Sequence, residues 1–144
     1  MSTGTEAKKN WSIQCLALRT DTTVITSNIG VILVVTGALT ATTLVQFIAP
    51  SWVVHRTFGE IPSGAGMVLA RHWGLLLFCV GALLVYSAFD PAIRRAAVLL
   101  ASVEKAGFAA CVLRTPLRRR PIASVMAIGD ALMALIYALY LVGL

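Results

Sequence analysis

The sequence predicts an all-α membrane protein, an antiparallel bundle of four transmembrane helices. Its 144 residues are 58% apolar and only 12% charged, against about 45–50% and about 25% in soluble domains. Mean hydropathy is +0.86. So few charges cannot coat a soluble globule. The apolar residues also fall in four runs, each near the ~20 residues a helix needs to cross a hydrocarbon core. None of the runs shows the alternation over about 10 residues that marks a barrel strand.

The first span is expected over about residues 24–49, after a polar tail (1–23) that carries Lys8, Lys9 and Arg19, and it stops before Pro50. It is longer than the about 7–15-residue apolar core of a signal peptide, so a retained, tilted helix is expected. The second span covers about 67–89, the third 92–113 and the fourth 122–144. Asp90 and Pro91 read as an N-cap followed by proline at the first helical position. A link this short makes the second and third spans antiparallel neighbours. Pro121 opens the fourth span in the same way. Residues 50–66 form the longest connection; the segment reads as a loop that can lid a site, with Trp52 at the membrane interface.

The net charge of +6 would point to nucleic acid in a soluble protein. Here the basic residues flank apolar runs, where they meet anionic headgroups and bias orientation, so no nucleic-acid role is expected. With the N-terminus inside, Lys8, Lys9, Arg19, Arg94 and Arg95 are cytoplasmic. With it outside, Arg56, Arg114, Arg118, Arg119 and Arg120 are, with Arg71 uncertain. The polar tail favours the first orientation and the Arg114–Arg120 cluster the second. Cys15, Cys79 and Cys111 are far apart, and the latter two read as small buried side chains. No metal site is expected, because the cysteines and the two histidines, His55 and His72, lack ligand spacing.

Helices pack in lipid through small residues. Gly66, Ala70 and Gly74 form one such ridge, and Ala123, Ala127, Ala134 and Ala138 another that also carries Asp130. Ala97, Ala101 and Phe108 share a face of the third span, flanked by Glu104 and Lys105. Thr36, Thr40 and Thr43 lie on one arc of the first. Glu104 and Lys105 stand nine and eight residues before Leu113, and Asp130 stands eight after Ile122, so all three lie roughly 12–13 Å below the Arg114–Arg120 link. Thr40 and Thr43 reach the same depth. An ionised group at a span centre costs about 2.5–3.5 kcal/mol, which a Lys105–Asp130 pair would reduce. Glu104 is then carried neutral or paired with Arg71, next to His72. The polar layer of Arg71, His72, Glu104, Lys105, Asp130, Thr40 and Thr43 either locks the helices together or lines a ligand or proton site.

The segments Ala70–Phe78, Val103–Phe108 and Gly129–Ala134, together with the Asp90–Pro91 turn, resemble small four-helix bacterial membrane proteins of the DoxX-like type. The resemblance spans about 24–144 and implies a bacterial plasma-membrane location, with Arg71, Glu104, Lys105 and Asp130 as the shared polar positions. It also implies a link to oxidoreductases or quinone-dependent sulfur chemistry. Three functions follow as expectations. The first is a non-enzymatic membrane component that binds a lipophilic small molecule, a partner protein or a second copy of itself. The second is an intramembrane isomerase or quinone-linked oxidoreductase using Glu104 or Asp130 for proton transfer. The third is a small proton-coupled transporter.

Overall fold

In the computed structural model, residues 27–143 are described. The expected polar tail and Cys15 lie outside them. The chain forms helices α1 (27–41), α2 (Leu44–Ile48), α3 (Pro50–Phe58), α4 (Ala65–Phe89), α5 (Pro91–Leu113) and α6 (Pro121–Val142), with a 3-10 turn at Pro116–Arg119. Helices α1 and α2 together make one candidate span, Ser27–Ile48, and α4, α5 and α6 make the other three. Only 11% of the most apolar window of α6 is buried inside the protein, and 33% of that of α5. Large apolar side chains such as Val31, Val35, Val68, Val103 and Leu132 face outward. Lipid must cover them, so this is a small membrane protein.

Local chemistry sets the helix ends. The Asp90 carboxylate accepts a hydrogen bond from the Ala92 backbone N–H at 2.9 Å, and Pro91 follows at the first helical position. This cap reverses the chain between α4 and α5. At the same end, Arg94 donates to the carbonyls of Ser87 (3.0 Å) and Ala88 (2.9 Å), and Arg95 donates to that of Leu141 (3.3 Å). Both arginines thus satisfy carbonyls that the last turns of α4 and α6 leave open.

The first span is not continuous. Thr42 and Thr43 bond their backbone N–H groups three residues back, and their hydroxyls bond the carbonyls of Leu39 (2.6 Å) and Thr40 (2.7 Å). Such back-bonding by threonine tightens and bends a helix. The connection expected as a loop over residues 50–66 is mostly helix. Pro50 starts α3, because proline lacks only an N–H that a first turn leaves unpaired. Gly59 ends it with a left-handed φ of 80°, and the Arg120 side chain lies against that glycine.

Small residues let α1–α2 and α4 touch backbone to backbone. A Cβ placed on Gly81 would lie 2.6 Å from the Gly37 carbonyl oxygen, and one on Gly74 2.7 Å from the Phe47 nitrogen. Gly66, expected on the same ridge, is exposed and meets only Pro62, at 3.8 Å. On α6, Ala123 and Ala127 are buried, while Ala138 is exposed and Tyr137 takes the core position. Cys79 and Cys111, expected to be buried, are exposed on the outer faces of their helices; the thiol is apolar enough to face lipid.

Two apolar clusters close the bundle. One joins Ile29, Leu33, Val80, Leu84, Val98, Ala101 and Tyr137 near the Asp90 turn. The other joins Val112, Ala123 and Ala127 with Phe58, Phe108 and Leu117 near the arginine-rich link. If the α1–α4 crossing is as tight as described, Gly81→Ala destabilises the detergent-purified protein by about 1–3 kcal/mol. Gly107→Ala meets open space and should leave the melt unchanged or raise it slightly, since glycine weakens a helix interior. Thermal melts of the two variants beside wild type check this; equal melts for Gly81→Ala and wild type would refute the contact.

Candidate functional site

Between the two clusters lies a cavity of about 700 Å³, open on one side. Its walls come from every helix. α1 and α2 supply Leu39, Thr42 and Gln46 along with Thr36, Thr40 and Thr43. α3 supplies Val53, Val54, Thr57 and Phe58, and α4 supplies Leu69, Ala70, Trp73 and Leu77. α5 contributes Glu104, Lys105 and Phe108, and α6 contributes Met126, Gly129, Asp130 and Met133. The 50–58 segment therefore covers part of the cavity, but as a helix.

The charged groups sit together on α5 and α6. Lys105, only 5% exposed, donates to Asp130 Oδ1 at 2.9 Å. Glu104 Oε2 is 3.9 Å from the Lys105 ammonium, beyond hydrogen-bond reach. That oxygen is buried and accepts no hydrogen bond. Salt-bridged burial is favourable only with close geometry and further hydrogen bonds; the Lys105–Asp130 contact has the first. Glu104 shares the Lys105 ammonium at this longer range, and its Oε2 gains no hydrogen bond.

The threonines mostly satisfy their own helix. Thr36 donates to the Ile32 carbonyl (2.7 Å), and Thr40 to that of Thr36 (2.8 Å). Thr43 also points its hydroxyl at the Gly74 carbonyl across the interface, at 3.4 Å. Gln46 donates to the Ala70 carbonyl at 2.9 Å, tying α2 to α4. Thr36 hydrogen-bonds the fully buried Tyr137 hydroxyl, tying α1 to α6. Sequence reasoning missed Tyr137 and Gln46. Tyr137 was recoverable, since it stands seven residues after Asp130 and so on the same helical face; Gln46 was recoverable as a lone amide in an apolar run.

Of the residues expected in the polar layer, Glu104, Lys105, Asp130, Thr40 and Thr43 all line the cavity, and Arg71 and His72 do not. Both are exposed. The reason is rotational: Ala70, Trp73 and Leu77 face inward, and at 100° per residue Arg71 and His72 fall about 120–140° away from that direction. The expected Glu104–Arg71 pairing therefore does not form. Among the described residues, no group of three His, Cys, Asp or Glu could hold a metal ion.

No family model, curated protein or solved structure matches the chain.

The double-mutant cycle of Lys105 and Asp130 tests the ion pair. Lys105→Met leaves two carboxylates without a cation, and breaking a buried pair costs about 3–5 kcal/mol. Asp130→Asn should fall less, because the ammonium can turn toward Glu104. The double variant should melt above Lys105→Met. Additive losses in thermal melts would show that the two residues do not interact.

Proposed function

We propose that the protein is a non-enzymatic, ligand-binding component of the bacterial plasma membrane. It holds a lipophilic small molecule in the cavity, with the ligand's polar group at the Glu104–Lys105–Asp130 cluster. The observation that carries this reading is the cavity itself. Its volume of about 700 Å³ lies within the ~300–1,000 Å³ of ligand pockets, which are mainly apolar with a few convergent polar groups.

The composition of the walls supports the same reading. Leu39, Leu69, Val53 and Val54 offer a hydrocarbon surface, and Met126 and Met133 adapt to irregular shapes. A lipophilic molecule reaches such a site from the bilayer, since the cavity lies within the spans. A DoxX-like kinship is part of the proposal and rests on the segments around Ala70, Val103 and Gly129. Of its shared polar positions, Glu104, Lys105 and Asp130 fall at the cavity, while Arg71 lies elsewhere. Proton-transfer chemistry and a partner protein have no separate observation in their favour.

Gly129 supplies the test. It lines the cavity, and a Cβ there meets nothing within 4 Å. Leucine at this position fills the cavity without striking the backbone. Gly129→Leu should melt close to wild type and lose at least about tenfold of the lipophile that co-purifies with wild type. Mass spectrometry of solvent extracts from the two purified proteins reads this. A lipophile retained at the wild-type level by Gly129→Leu, or none found with wild type, would overturn the proposal.

A further inference from the structure

The charge of the cavity narrows the ligand. Its charged lining residues are Glu104, Lys105 and Asp130. With Glu104 in its ionised form, two carboxylates and one ammonium leave a formal charge of −1. The ammonium donates to Asp130 at 2.9 Å and stands 3.9 Å from Glu104 Oε2, which is buried and accepts no hydrogen bond. No arginine lines the cavity. Arg94 and Arg95 cap the far ends of α4 and α6, Arg120 lies against Gly59, and Arg71 faces outward.

A second observation points the same way. Phe58, Trp73 and Phe108 line the cavity, and aromatic faces attract cations that have lost their water. The walls are otherwise mainly apolar, with threonine hydroxyls largely bonded to their own helix, which disfavours a small hydrated ion and suits an organic one. Resting on the ligand-binding reading above, we infer that the cavity binds a lipophilic organic cation, whose charge is balanced by Glu104. The cation enters from the bilayer and sits among the aromatic and methionine side chains. The contact with Glu104 is through charge and needs no donated hydrogen bond, so a quaternary cation suffices. Lys105 remains bound to Asp130 throughout, and the cluster with its ligand becomes neutral.

Two ions of the same shape and opposite charge separate the sign of the charge from simple lipophilicity. Equilibrium dialysis of the full chain in detergent would measure tetraphenylphosphonium and tetraphenylborate binding. Wild type should bind the phosphonium at least about tenfold tighter than the borate, given the strength of charge interactions at low dielectric. Glu104→Gln should erase that preference with a melt no lower than that of wild type, and Glu104→Asp should keep it. Gly129→Leu should weaken both ions. Equal binding of the two ions to wild type, lost in Gly129→Leu, would refute the cation while leaving the cavity reading standing. Binding of neither ion, or binding that Gly129→Leu does not alter, would overturn both. A preference for the phosphonium that survives in Glu104→Gln would refute the role of Glu104, and with it the inference.

Discussion

Lys105 meets Asp130 in a part of the chain where water cannot take its place, and that contact fixes the register of α5 against α6. An ionised group at the centre of a span is expensive alone and much less so when paired. With the two side chains joined at 2.9 Å, the rotation of both helices is set. Ala97, Ala101 and Ala109 then fall on the buried face of α5, and Ala123 and Ala127 on that of α6. Glu104 is carried along by this geometry. It adjoins Lys105 in sequence, so it is rotated about 100° around the same helix, onto the cavity wall.

The opposite side of the bundle is held by a different force. Gly37, Gly74 and Gly81 bring α1–α2 and α4 into backbone contact, where close packing does what the hydrophobic effect cannot do in lipid. The bend at Thr42 and Thr43 then turns the chain, and Pro50 launches α3 across the space that remains. The cavity is what lies between a charge-held helix pair and a glycine-held one. Tyr137 to Thr36 ties the two sides across it, and Gln46 to the Ala70 carbonyl adds a bond within the glycine-held side.

The spans were legible because hydropathy reports directly on a bilayer, and the caps at Asp90, Pro91 and Pro121 because their chemistry is local. Depth was legible too. Counting residues from the shared Arg114–Arg120 link brought Lys105 and Asp130 to one level, since α5 ends at it and α6 starts from it. Rotation was less legible. An apolar helix in lipid carries almost no polar stripe to orient it, so Arg71 was assigned inward when the inward face is Ala70, Trp73 and Leu77. The same weakness misplaced Cys79 and Cys111. Residues 50–58 were hidden for another reason: the run is too short to register as a span, and Pro50 reads equally well as the end of one helix or the start of the next.

A buried carboxylate without a partner and an organic cation dissolved in lipid are each unfavourable, and for the same reason. Each carries a charge out of water into a medium that cannot solvate it. Brought together in one cavity, they form a neutral pair whose attraction is strong because the surroundings screen it so little. On this account the charge that destabilises the empty protein is also the source of its selectivity. A neutral lipophile gains the apolar walls and nothing more, and a lipophilic anion meets Glu104 as a like charge. A ligand of this kind would also stabilise the fold, because anything that binds only the folded state shifts the folding equilibrium toward it. The Glu104 oxygen without a hydrogen bond is therefore consistent with a bundle whose polar layer a ligand would complete, with Lys105 and Asp130 as the part that the protein completes for itself.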